Sequence, residues 1–220
     1  MDDLYEVKKI RWHTPEIYEL VTERNDIPFA PGDSMAIFAG DGSQSRPYSI
    51  ASGIDDPVLR FIVRKMPDGV ISTYLIDLKP GDTVRMSTPF GWFRPGLSSA
   101  GAPFAFVATG TGIAPFLSYL RSYGEKPPAH CLFGVRHHQD AIELDFLQEH
   151  CELKLAVSRE NINECHHGRV TDLLPSLQFT NDTHFYLCGL DAMIDRVSEW
   201  LEGKGIDFTQ IHREVFFYAP

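Results

Sequence analysis

From residue 4 to about residue 88 the chain alternates apolar and polar positions in short stretches, among them 16–21, 34–39 and 58–63, each bounded by Pro, Gly or Asp. A period of two sends successive side chains to opposite faces of an extended chain, so this spacing predicts half-buried antiparallel strands. Pro31-Gly32-Asp33 and Pro80-Gly81-Asp82 repeat one turn signal: proline presets φ and glycine admits the positive φ that such turns need. Six or so strands at this spacing predict a small barrel, interrupted by one helix over about 71–78. Beyond residue 104 the pattern changes. Apolar runs at 104–108, 130–135, 153–157 and 185–188 are each followed by an amphipathic segment, at 113–123, 140–149, 170–174 and 192–201. Strand and helix in alternation predict a parallel sheet with helices on both faces. Residues 95–103, rich in Pro, Gly, Ser and Ala, have the composition of a linker. The expected organisation is therefore a β-barrel domain over 1–97 and an α/β domain over 98–220.

Composition narrows the function classes. With 220 residues and 43% hydrophobic positions the chain can bury a sizeable core, which excludes disorder. No run approaches the roughly 18 to 20 apolar residues that cross a bilayer, and the chain opens on acidic Met1-Asp2-Asp3, so a cytoplasmic protein is expected. A net charge of −10 repels phosphate backbones and acidic lipid surfaces, arguing against nucleic acid and membranes as partners. The charge is uneven: residues 1–100 hold 11 Lys and Arg against 14 Asp and Glu, net −3, whereas residues 101–220 hold 9 against 16, net −7. Cys131, Cys151, Cys165 and Cys188 lack the spacing that holds zinc or an iron–sulfur cluster. Neither a metal nor a cluster is expected, and the thiols read as reduced. His137-His138 and His166-His167 sit among polar residues and read as solvated surface histidines rather than ligands.

Two local patterns carry candidate chemistry. Thr109-Gly110-Thr111-Gly112-Ile113-Ala114-Pro115 stands where a buried strand turns into a helix. Glycines there let backbone approach a ligand, and a helix start favours a pyrophosphate, although Pro115 departs from the full dinucleotide fingerprint. In the first half, Arg46-Pro47-Tyr48-Ser49 is followed by Gly69-Val70-Ile71-Ser72 at a helix start. An arginine fork, a ring, a hydroxyl and a helix N-terminus could together hold an aromatic cofactor with a phosphate tail.

These pieces, with Ser158-Arg159-Glu160, Gly168-Arg169-Val170 and Cys188-Gly189, resemble the ferredoxin–NADP reductase superfamily in order along nearly the whole chain, and most of all its short bacterial ferredoxin or flavodoxin reductases. The resemblance implies an FAD-binding barrel and an NADP-binding parallel-sheet domain in a flavoprotein that moves hydride between NADPH and FAD and single electrons to or from ferredoxin or flavodoxin. It implies that Arg46 and the start at Gly69, Val70, Ile71 and Ser72 hold the flavin pyrophosphate. Pro47 beside them also belongs to the flavin site, Tyr48 lies against the isoalloxazine and Ser49 donates a hydrogen bond to its N5. Thr109, Gly110, Thr111, Gly112, Pro115, Gly189 and Met193 fall in the nucleotide-binding segments, and Ser158 and Arg159 in the 2′-phosphate site. Cys188 positions the nicotinamide and Glu214 supplies charge near Ser49. FAD is preferred to FMN because FMN lacks a pyrophosphate. Phe216 stands where the family has a tyrosine, and sequence does not distinguish Phe216, Phe217 and Tyr218 as the aromatic that shields the flavin. A reductase component of an oxygenase and a free-flavin reductase use similar modules. The acceptor is expected to dock on the less acidic half, near Arg60, Arg64, Lys65, Lys79, Arg85 and Arg94. Oligomeric state, monomer or weak dimer, is not fixed by the sequence.

Overall fold

The computed structural model describes residues 2–217, without the side chains of Asp2 and Phe217. Two compact units form. One takes the chain up to Trp92 together with Ala114–Ser122, and the other takes Phe93–Ile113 and the chain from Tyr123 onward. Among the described residues no helix is long and apolar enough to cross a membrane.

The first unit holds β1 (Asp2–Trp12), β2 (Ile17–Glu23), β3 (Ser34–Phe38), β4 (Ser45–Ser49), β5 (Val58–Arg64), α1 (Val70–Ile76) and β6 (Thr83–Ser87). Six antiparallel strands run in the order β4-β3-β6-β1-β2-β5. An Ile50–Phe61 bridge, with the Ala51 N–H donating to Arg60 O at 2.8 Å, joins the two edges, so the sheet closes on itself as the strand spacing predicts. Alternation fixes the faces: Leu59, Phe61 and Val63 of β5 point into the core with Tyr5, Leu20, Met35 and Val84. Between them Arg60 pairs with buried Glu19 at 3.2 Å and Arg64 with Glu16 at 2.6 Å. The two Pro-Gly-Asp turns are the same object twice. Gly32 and Gly81 both sit at φ 94°, and Asp33 and Asp82 each accept the N–H three residues earlier, at 2.8 and 2.7 Å. The helix α2 (Ala114–Tyr123) contributes most of its length to this unit. Ser118 Oγ donates to Ser52 O at 2.7 Å, an Arg121 guanidinium N–H to Ala51 O at 2.8 Å, and the Ile54 N–H to Ser122 Oγ at 3.0 Å.

The second unit holds β7 (Phe104–Thr109), β8 (His130–Val135), α3 (Leu144–His150), β9 (Leu153–Val157), β10 (His166–His167), β11 (His184–Leu190), α4 (Asp191–Glu202) and β12 (Ile211–Phe217). Six strands run in the order β10-β9-β8-β7-β11-β12, every neighbouring pair parallel. Ala105, Val107, Phe185 and Leu187 face an apolar layer with Met193, Ile194, Val197 and Leu201 of α4. Two expected helices are shorter or tighter than their patterns. Glu143 at φ 56° delays α3 to Leu144, and residues 170–176, which contain Pro175, wind as a 3-10 helix. The C-terminal segment, whose aromatics the family resemblance sets against the flavin, is an edge strand as far as Phe217. The segment with linker composition is folded here: Phe93 meets Tyr186 edge-on at 5.8 Å, Ser98 Oγ lies 2.8 Å from the Tyr186 hydroxyl, and Ser99 is buried. On the same face the Tyr186 ring stacks on His212 at 4.4 Å, and His212 on His184 at 5.3 Å.

Candidate functional site

A parallel sheet binds ligands where connections leave neighbouring strands in opposite directions, at the strands' C-terminal ends. In the strand order above that point lies between β7 and β11, and the residues there are Thr109–Gly112 and Cys188–Gly189. Gly112 is required by packing: a Cβ on it would stand 2.5 Å from Cys188 O and 2.7 Å from its carbonyl carbon. Gly189 is required by both conformation, at φ 134°, and its approach to Thr109. The Leu190 N–H donates to Thr109 Oγ1 at 2.9 Å, locking the two strand ends. Gly110, at φ 54°, faces open space, so it is the glycine of the turn free to admit a ligand.

The register of β11 on β12 sets Cys188 opposite Glu214. The thiol is fully buried and lies 3.8 Å from Glu214 Oε2, within reach of a weak S–H donor bond. Burial first, and the Glu214 charge second, push the Cys188 thiol well above the usual thiol range. It is a neutral S–H at physiological pH, suited to positioning a ring and not to nucleophilic attack. The register slips after Gly189–Val215, resuming at Leu190–Phe217, so half-buried Phe216 is the extra residue of an irregularity. Such slips re-aim a side chain. The Phe217 side chain and Tyr218, the other two aromatic candidates, lie outside the described residues.

At the far strand ends the ladder continues past β8 and β9. The Ser158 N–H donates to Val135 O at 3.1 Å and the Arg159 N–H to Arg136 O at 2.9 Å. The Gly168 N–H reaches Val157 O at 3.0 Å and delivers Arg169 beside them. Arg136, Arg159 and Arg169 are exposed, and none is in a salt bridge with another described residue. Arg136 was not singled out from the sequence; its position immediately after a buried strand is the signal that marks it. Glu160, the acid next to Arg159, is turned away. Its Oε1 accepts from His137 Nδ1 at 2.8 Å and its Oε2 from the His138 N–H at 2.9 Å, while His167 Nδ1 donates to its carbonyl at 2.7 Å. The His138 N–H, then His137, hold the Glu160 carboxyl below its ordinary range. These histidines tie loops together; they are not merely solvated.

In the first unit, Arg46, Pro47, Tyr48 and Ser49 lie along β4. Arg46 and Pro47 are exposed, and among the described residues the Arg46 guanidinium donates only to Ser45 O, at 2.9 Å. Burial pushes the Tyr48 hydroxyl up to about 12, against the pull of Arg46. Ser49 is buried with its Oγ 3.0 Å from Ser34 Oγ. Ser72 Oγ accepts from the Met66 N–H at 3.0 Å and donates to Gly69 O at 3.3 Å, and Tyr18 donates to Ser72 O at 2.7 Å. The Ser72 hydroxyl therefore shapes the loop that opens α1, while the helix's first N–H groups have no side-chain cap and no acid in the first turn. An exposed arginine with no acid paired to it among the described residues, a half-buried ring and an uncapped helix start fit a flavin with a pyrophosphate tail. Met193, grouped with the nucleotide-binding residues by sequence, is buried in the apolar layer under α4.

Residues 4–94 match the family described as Oxidoreductase FAD-binding domain, and residues 106–199 the family described as Oxidoreductase NAD-binding domain. Ferredoxin--NADP reductase B of Sorangium cellulosum is 33% identical over an alignment 229 positions long that covers 93% of this chain and 93% of that protein. The electron transfer component of toluate 1,2-dioxygenase from Pseudomonas putida is 30% identical over 87% of this chain; the chain spans about 60% of the length of such oxygenase components. In fold the chain is similar to a ferredoxin NADP+ reductase from Neisseria gonorrhoeae solved with bound FAD and NADP, with a TM-score of 0.87, 98% and 99% coverage and 21% identity.

Proposed function

The chain belongs to the ferredoxin–NADP reductase superfamily, and from that premise we propose that it oxidises NADPH with bound FAD and passes single electrons to a ferredoxin or flavodoxin. FAD, when bound, takes up two electrons together and releases them one at a time. The chain's own residues supply the rest. Arg46 and the first N–H groups of α1 hold the pyrophosphate, and Tyr48 offers its ring to the isoalloxazine. The Ser34 hydroxyl, 3.0 Å from Ser49 Oγ, can donate to it, which leaves the Ser49 proton available to N5. Gly110 and its neighbours admit the nucleotide phosphates, Arg159 with Ser158 meets the 2′-phosphate, and the neutral Cys188 thiol, beside Glu214, orients the nicotinamide.

The observation that carries NADPH over NADH is the set of three exposed arginines at the ends of β8 and β9 and just after β10, with Glu160 drawn off them. A charge-assisted bond to phosphate contributes about 1.5–3 kcal/mol, one to two decades of preference. A second reading, the reductase component of an oxygenase, is favoured by the likeness to the toluate dioxygenase component. Mass spectrometry of the chromophore released from purified protein is expected to give FAD. Turnover with ferricyanide should favour NADPH, and added ferredoxin or flavodoxin should be reduced. FMN, or a preference for NADH with neither protein reduced, overturns the proposal and leaves the oxygenase reading.

A further inference from the structure

We infer that His137 is a positioning residue for nucleotide choice: by holding the Glu160 carboxylate it keeps a negative charge away from the phosphate-binding arginines. The inference rests on the reading of Arg159 as the 2′-phosphate residue. Glu160 directly follows Arg159, whose backbone N–H is fixed on Arg136 O at 2.9 Å, so its side chain leaves the chain right beside that anchored point. A carboxylate that close has two natural destinations. It can pair with a guanidinium, or it can lie along the nucleotide ribose, where it repels a phosphate and accepts from a free 2′-hydroxyl. Either destination favours NADH.

The structure gives Glu160 a third destination. Both oxygens are taken, one by the His137 imidazole at 2.8 Å and one by the His138 backbone N–H at 2.9 Å. His167 anchors the same residue through its carbonyl at 2.7 Å. The His137 and Glu160 side chains are 39% and 36% exposed, so the pair adds little to folding stability. Its effect lies in where the charge is held. Without His137 the carboxylate keeps one hydrogen bond of two and can swing back toward Arg159. The histidine pair 137–138 thus takes part in selectivity without touching the nucleotide.

The test compares kcat/KM for NADPH and NADH in the full chain with its flavin, using ferricyanide as acceptor. His137→Ala is expected to lower the NADPH:NADH ratio about three- to tenfold, through KM for NADPH more than through kcat. His137→Gln, whose amide can still donate, should retain most of the ratio. Glu160→Gln alone should keep or raise it, and adding Glu160→Gln to His137→Ala should restore it. A merely structural role for His137 would not be rescued by removing its partner's charge. An unchanged ratio in His137→Ala, or a loss that persists in the double variant, overturns the inference. Arg159→Ala separates the two layers. If it leaves the ratio unchanged, the NADPH reading itself fails; if it lowers the ratio while His137→Ala does not, only the positioning role fails.

Discussion

His212 lies between the Tyr186 ring and His184, its Nε2 3.0 Å from His184 Nδ1. Burial, and then the neighbouring imidazole, lower its pKa from the ordinary value of 6.5. The unfolded chain therefore binds a proton at His212 more readily than the folded one, and stability falls as pH drops below about 6.5. Urea midpoints at pH 7 and pH 5 should differ more in the parent than in His212→Gln; equal differences would remove His212 from the acid sensitivity. The stack could not be read from the sequence, because it needs β12 placed beside β11. Cys188 and Glu214 were legible singly, each as part of a family-like motif. What their types alone do not reveal is the protonated thiol, which follows from complete burial and one facing carboxylate.

Strand by strand, the first sheet was the more legible. A period of two, punctuated by duplicate Pro-Gly-Asp turns, leaves little choice of where chain reversals fall. The parallel sheet was legible in its buried strands but not at its edges. β10 has two residues and β12 reads as His-Arg-Glu within an aromatic run, because an edge strand has partners on one side and tolerates polar residues. Glycine in the turn after β7 was legible as permissive backbone. Its structural necessity at Gly112 was not, since the obstructing atoms belong to a strand more than seventy residues away. Gly112→Ala forces backbone against the Cys188 carbonyl, 2.5 Å away, and is expected to destabilise the chain by about 1–3 kcal/mol. An unchanged urea midpoint would show that the β11 end yields freely.

Across the whole molecule, the acidic excess of −10 was legible and its local meaning was only partly so. Of the basic residues expected to meet an acidic acceptor, Arg60 and Arg64 are committed to Glu19 and Glu16, and Arg85 lies over the Phe38 ring at 4.9 Å. Lys65 and Lys79 stay exposed and are the better candidates for steering. The boundary at residue 97 followed composition, yet contacts divide the chain at Trp92 and return 114–122 to the first unit. A fragment of residues 1–97 lacks Ser118, Arg121 and Ser122, which bond Ser52, Ala51 and Ile54. Its tryptophan fluorescence is expected to report unfolding at lower urea than 1–97 supplied with residues 114–122 on a flexible tether. Identical midpoints would make that helix dispensable. The same interleaving bears on how such proteins diversify. A crossover in the Pro-Gly-Ser stretch would leave a borrowed barrel against another lineage's α2, so viable hybrids must inherit the helix with the barrel or arrive already matched along residues 51–54.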